Sequence, residues 1–140
     1  VKPINEKEGM LSPALEDYLR KMCELDQAGG VRSAELARAL GVSRPSVHDA
    51  AEKLKEAGLV EKDDYAPLRL TEAGRSLGLS LVERRRLVDL ILEEAERNGA
   101  EGAREEACTV EHAMSMETAR AIASLVAEAS IAVNFVRLDQ

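Results

Sequence analysis

The sequence predicts a mainly α-helical chain that carries one small β-hairpin, and three observations lead there. Apolar residues recur at i, i+3, i+4 and i+7 along most of its length. Aromatics make up only 2% of the 140 residues and Trp is absent, so the 45% apolar content must come from Leu, Val, Ile and Ala. That is the composition of packed helices, and the Ala, Glu, Arg and Leu content agrees through helix propensity. One stretch, "LVEKDDYAPLRLT" at 59–71, breaks the helical period with two short apolar–polar runs around a turn.

Each element has its own signals. In "LSPALEDYLRKMCELDQAGG", Ser12 is placed to cap a helix, Pro13 suits its first position and Gly29-Gly30 ends it. Leu11, Leu15, Leu19, Met22 and Leu25 form its apolar stripe. Ser33 is the expected cap of a short helix with Leu36, Ala37 and Leu40 inward, and Gly41 breaks that helix in a turn. Ser43 then caps a second helix, with Pro45 in its first turn, Val47, Ala50, Ala51 and Leu54 inward and Gly58 at its end. Two short helices joined by a tight glycine turn form a helix-turn-helix. With the hairpin after it, the pattern is a winged helix.

Thr71 is the expected cap of a long helix, "EAGRSLGLSLVERRRLVDLILEEAERN", with Leu77, Leu81, Leu87 or Val88, Ile91 and Leu92 at helical spacing. "GAEGA" connects it to a short helix in "REEACTVEHAMS". A last helix, capped by Ser115, carries Ile122, Leu125, Val126 and Ala129 on its apolar side. "NFVRLDQ" has no clear pattern.

Composition also bounds function. A net charge of −7 argues against a non-specific nucleic-acid binder, though one local basic surface is compatible with it. The N-terminal "VKPINEKEGM" lacks the apolar core of a secretory signal, and no apolar run is long enough for a membrane span. Two cysteines, Cys23 and Cys108, do not suggest a disulfide framework, so the expected compartment is the cytoplasm. The first residue is Val, which leaves the natural start of the chain open.

Two constellations carry chemistry. The recognition helix of the expected winged helix starts near Ser43 and offers Ser43, Arg44, Ser46, His48 and Asp49 on its exposed N-terminal part. Arg44 can meet phosphate or guanine, and the serines suit phosphate. Asp49 can accept from cytosine N4 or face water. Lys53, Lys55, Lys62 and Arg69 are candidate phosphate contacts, each with the alternative of a solvated surface charge. The other constellation is "CTVEH", which sets Cys108, Glu111 and His112 at i, i+3 and i+4 on one helical face. A divalent transition metal accepts all three donors. The alternative is a small buried cysteine beside a solvated Glu and His, and the spacing alone leaves both open. A Cys–His pair can also serve as nucleophile and base. Nothing in the sequence supplies an oxyanion hole or substrate pocket, so no enzyme is expected.

"LEDYLRKMCEL", the winged helix, "LVERRRLVDLILEE" and "EEACTVEHAMS" resemble, in this order, the diphtheria toxin repressor family of metal-activated bacterial repressors. The resemblance covers about Leu11 to Ala129 and implies the short two-domain form, without the family's SH3-like third domain. The expected domains are a winged helix DNA-binding domain over 1–74 and a helical metal-binding and dimerisation domain over 75–140. The resemblance adds Asp17 to Cys108, Glu111 and His112 as a fourth ligand, with the neighbouring Glu16 as a rival. Iron-type members have Met at the position of Asp17 and manganese-type members have Asp. Asp17 thus resembles the manganese type and Cys108 the iron type. A thiolate favours later metals over Mn2+, so Fe2+ is the first expectation and Mn2+ the second, one ion per subunit.

The family's second metal site falls here on Arg85, Asp89 and Arg104 in the iron-type pattern and on Arg20 and Arg85 in the manganese-type pattern. Arginine cannot ligate a metal. Arg85 and Arg104 are expected to pair with Asp89 and to replace the missing ion's charge, the alternative being ordinary surface arginines. Pro45 and Ser46 resemble a Pro-Thr pair at which the family contacts bases; Asp49 departs from the amide or basic residue often found there. The implied partners are double-stranded operator DNA and a second copy of the chain, joined through the long helix and the Ala-rich last helix. A winged-helix regulator no longer controlled by metal is the alternative function.

Overall fold

The computed structural model describes residues 11–26 and 28–138, with side chains as far as residue 129. The N-terminal stretch 1–10, whose polarity bears on the absence of a signal, lies outside the described residues, as do 139 and 140.

Local capping chemistry sets the first three helices. Helix α1 spans Pro13–Leu25, and the Ser12 hydroxyl accepts from the Leu15 N–H at 3.3 Å. Helix α2 spans Ser33–Leu40. Ser33 is its first helical residue rather than its cap; Arg32 stands at the cap with no side-chain bond. Gly41, at φ 65°, closes α2 in the left-handed conformation that glycine adopts without strain. Helix α3 spans Arg44–Glu56, and the Ser43 hydroxyl accepts from the Ser46 N–H at 3.2 Å.

The wing is shorter than a hairpin of several residues per strand. β1 (Val60–Glu61) and β2 (Arg69–Leu70) pair antiparallel, Val60 opposite Leu70 and Glu61 opposite Arg69. Val31 extends the pairing: it exchanges two 2.8 Å backbone hydrogen bonds with Leu68. Gly30 makes this approach possible, because a Cβ there would lie 2.6 Å from the Leu68 carbonyl oxygen. Tyr65, at φ 62°, turns the chain at the wing tip.

Helix α4 runs from Glu72 to Arg97. The Thr71 hydroxyl accepts from the Gly74 N–H at 3.0 Å and donates to the Gly58 carbonyl at 2.7 Å, so one side chain both caps α4 and ties it to the end of α3. The chain divides into two compact units between Val82 and Glu83, inside α4. The first unit's core joins Leu19 and Met22 of α1, Leu36 of α2, Val47 and Leu54 of α3, Val60 and Leu68 of the wing, and Leu81 of α4. Arg75 of α4 is ion-paired with Asp26, which follows α1.

In the second unit, Val88 and Leu92 of α4 pack with Ala103 and Ala107. Of the two residues that could have faced inward, Val88 is fully buried and Leu87 only half-buried. A 3-10 turn (Ala103–Glu106) leads into α5 (Ala107–Ala113). Helix α6 spans Met116–Leu138, capped by the Ser115 hydroxyl, which accepts from the Thr118 N–H at 3.1 Å. It takes in residues 134–138, which showed no clear pattern in the sequence. Among the described residues, no helix is long and apolar enough to cross a membrane.

Candidate functional site

Helix α5 places Cys108 and His112 one turn apart, with Cys108 Sγ and a ring nitrogen of His112 within 4.8 Å of each other. Cys108 is exposed. The other cysteine, Cys23, is free and half-buried, and burial pushes its thiol above the usual cysteine range, which disfavours the thiolate needed of a ligand.

Glu111 is not a solvated residue. It is 2% exposed, the most deeply buried charged residue among those described, and the His112 side chain is 9% exposed. Glu111 Oε2 accepts from Arg85 of α4 at 2.8 Å, and Oε1 lies 3.6 Å from His112 Nε2. The other edge of the same guanidinium donates from Nε to Asp89 at 3.1 Å. Arg85 thus bridges two carboxylates. Its partial burial opposes the charge, but Glu111 and Asp89 outweigh that and hold its pKa above the ordinary arginine value. A buried carboxylate that loses such a partner typically costs about 3–5 kcal/mol.

The other arginines at the expected second-site positions are engaged elsewhere. Arg104 does not pair with Asp89. Its side chain donates to Glu96 at 2.6 Å, and its backbone N–H donates to the same carboxylate at 3.1 Å. Glu96 lies across the connector from Arg104, nearer than Asp89, which is about two turns up α4. Arg20 donates to Glu24 at 2.9 Å and to Asp17 at 3.4 Å along α1. Asp17 and its rival Glu16 are both half-buried on α1.

The side chains on α5 are types that a divalent first-row ion accepts: a thiol that ligates as thiolate, an imidazole and a carboxylate.

In the first unit, Ser43, Arg44, Pro45, Ser46, His48 and Asp49 are all exposed, as is Arg69 of β2. The Ser43 hydroxyl is 2.8 Å from that of Ser46, so both serines also serve the helix start. Asp49 lies near Tyr18, whose phenol is pushed up by burial and by the Asp49 charge. A groove of about 440 Å³ separates α3 from the wing; its lining includes Arg32, Arg44, His48, Lys62 and Tyr65. Lys62 is not a projecting phosphate contact. Its ammonium is 2.7 Å from both Glu52 Oε1 and His48 Nδ1, and its side chain is 15% exposed. The bond from Lys62 holds the Glu52 carboxyl below the usual carboxylate range. Sequence reasoning passed over Arg32, Glu52 and Tyr65. The signal for Arg32 was its place at the start of the helix-turn-helix; the Lys62–Glu52 contact has no local signal.

A winged helix followed by a helical unit with mixed metal donors is the build of a metal-responsive DNA-binding regulator. The chain belongs to the iron-dependent repressor family: residues 10–68 match its N-terminal DNA binding domain and residues 71–130 its metal binding and dimerisation domain. It is 32% identical over 124 residues to the HTH-type transcriptional regulator MntR of Lysinibacillus sphaericus, covering 84% of each chain. It is 31% identical over 112 residues to the diphtheria toxin repressor of Corynebacterium glutamicum, covering 79% of this chain and 49% of that one. The solved structure of the manganese regulator SloR superposes with a TM-score of 0.66 at 29% identity, over 83% of this chain and 54% of SloR. The chain therefore spans about half the length of several of its relatives and most of MntR.

Proposed function

We propose that this protein is a metal-dependent transcriptional repressor of metal-homeostasis genes, acting in the cytoplasm. It binds operator DNA as a homodimer when one Fe2+ per subunit, or Mn2+ as second choice, occupies a site formed by Asp17, Cys108, Glu111 and His112. The observation that carries this reading is the Cys108–His112 donor pair beside the buried Glu111, in a chain whose other unit exposes the N-terminal face of α3. An ion held by these four residues would supply positive charge and would tie α1 to α5. A ligand acts as a switch only if it prefers one state, and a state offering Asp17 as fourth donor binds the ion better than one offering three. Arg44 and the cap serines would meet the phosphate backbone and base edges, and Pro45, His48 and Asp49 would face the major groove. Arg69 would meet phosphate from the wing. Arg20, Arg85, Asp89 and Arg104 would stand where a second ion would otherwise sit.

The test is binding of the purified protein to genomic fragments, anaerobically, with and without Fe2+ and Mn2+. A metal-dependent gain in affinity is the expected result. Binding that ignores both ions would favour a winged-helix regulator without metal control.

Two further outcomes follow from the same reading. Leu90 and Leu125 are 47% and 65% exposed in the second unit, so Leu125 is left uncovered in a single chain while Ile122 beside it is half-buried. Residues 130–133 of that helix lie beyond the described side chains. Leu125→Glu is expected to weaken the dimer at least about tenfold, in line with the cost of one charge in an apolar interface, read by sedimentation equilibrium. Lys62→Ala is expected to weaken operator binding by about tenfold while leaving the salt dependence unchanged, because Lys62 holds the wing to α3 instead of neutralising phosphate. A log–log salt slope smaller by about 1 would return Lys62 to the phosphate contacts.

A further inference from the structure

The Arg85 fork has a consequence for which metal the centre accepts. A carboxylate can give a metal one oxygen or two. Here Glu111 Oε2 is held at 2.8 Å by the Arg85 guanidinium, and Oε1 is the oxygen beside His112. Arg85 is itself fixed from the other side by Asp89 at 3.1 Å, and Glu111 is sealed from water at 2% exposure. A planar guanidinium anchored at two points holds its partner's orientation far better than a flexible ammonium would. To turn Oε2 onto a metal, Glu111 must strain a charge-assisted bond in a place where water cannot make up the loss.

We propose that Arg85 is a specificity-determining positioning residue, which restricts Glu111 to one-oxygen coordination and thereby sets the centre against Mn2+. This rests on the metal-site reading above and deepens it. Mn2+ is satisfied by oxygen donors in high coordination number, whereas thiolate and imidazole sites of few ligands favour the later ions of the series. With Oε2 withheld, the carboxylate oxygen count at the centre falls by one. The later ion, content with thiolate and imidazole, loses little; Mn2+ loses a preferred donor. The nearby fixed positive charge acts on both ions alike, so it lowers their affinities together and leaves their ratio unchanged.

The test is the ratio of Co2+ to Mn2+ affinity, Co2+ standing in for Fe2+ because it resists oxidation, measured by calorimetric titration of full-length wild type, Arg85→Met and Arg85→Lys. In Arg85→Met, Mn2+ affinity is expected to rise about tenfold more than Co2+ affinity, as the second oxygen becomes available. Arg85→Lys keeps the charge without the fork, and is expected to lie between the two. The apo protein supplies a readout without metal: Arg85→Met melts lower than wild type and Arg85→Lys recovers part of the loss, because the buried Glu111 carboxylate loses the Arg85 guanidinium. Affinities for Co2+ and Mn2+ that change by the same factor would overturn the proposal and reduce Arg85 to a fixed charge. Should Arg85→Met fail to fold, an unchanged metal ratio in Arg85→Lys overturns it equally. Failure of the wild type to bind either ion is a separate result, which removes the metal-site reading itself.

Discussion

Cys108→Ala is expected to abolish the metal-stimulated part of DNA binding, with metal affinity falling at least about a hundredfold, while metal-free binding and thermal stability stay close to wild type. Cys108 is exposed on α5, so truncating it opens no cavity. Exposed substitutions away from special features usually change stability by less than about 0.5 kcal/mol. The effect on metal should be far larger. Even partners that only orient a ligand commonly contribute about 10–100-fold to affinity, and Cys108 is proposed here as a direct donor. Titration of Co2+, whose thiolate charge-transfer band reports the Cys108–metal bond directly, separates the two effects. Cys108→Glu should restore binding with a preference moved toward Mn2+, since it exchanges a soft donor for a hard one. Undiminished metal stimulation in Cys108→Ala would sink the assignment and point to a regulator governed by something else.

The parts of this protein that were legible in its sequence are those set by local chemistry. Ser12, Ser43 and Ser115 cap helices because a hydroxyl reaches an N–H three residues on, and Gly41 ends α2 because the chain must turn left-handed there. The i, i+4 spacing of Cys108 and His112 likewise follows from helix geometry alone. What escaped were contacts between distant stretches. The Val31–Leu68 bridge joins residues with no shared pattern, and it explains why a wing with two-residue strands holds its register. Arg85, which donates to Glu111, lies 26 residues away on α4, so neither the burial of Glu111 nor this pairing could be read from "CTVEH". Arg104 was assigned the wrong carboxylate for the same reason: the connector folds back and brings Glu96 nearer. Charges along one helix suggest partners by spacing, but only tertiary packing decides among several acids.

Gly74→Ala separates helix propensity from packing. In an exposed helix interior, alanine is favoured over glycine by about 1 kcal/mol, and propensity alone would make this substitution stabilising. The surroundings reverse the sign. A Cβ at Gly74 would lie 1.9 Å from the Leu59 carbonyl oxygen and 2.8 Å from its carbon, both backbone atoms that cannot rotate away. That same oxygen accepts from the Thr71 N–H at 3.1 Å, and the Thr71 hydroxyl binds both Gly58 and Gly74. Relief of the clash must therefore move the first turn of α4 off the wing and strain these bonds together. Overpacking typically costs about 1–3 kcal/mol, and a weakened backbone hydrogen bond adds about 1 kcal/mol. Set against the propensity gain, a net loss of about 1–3 kcal/mol is expected, which lowers the melting temperature of a unit this size by about 5–20 °C. Gly29→Ala is the control, because its Cβ would meet nothing within 4 Å and no left-handed backbone opposes it. It should leave the melting temperature unchanged or raise it slightly through the unfolded chain's entropy. A Gly74→Ala protein as stable as Gly29→Ala would mean that α4 does not press on Leu59, and the tight seam between the wing and the long helix would have to be abandoned.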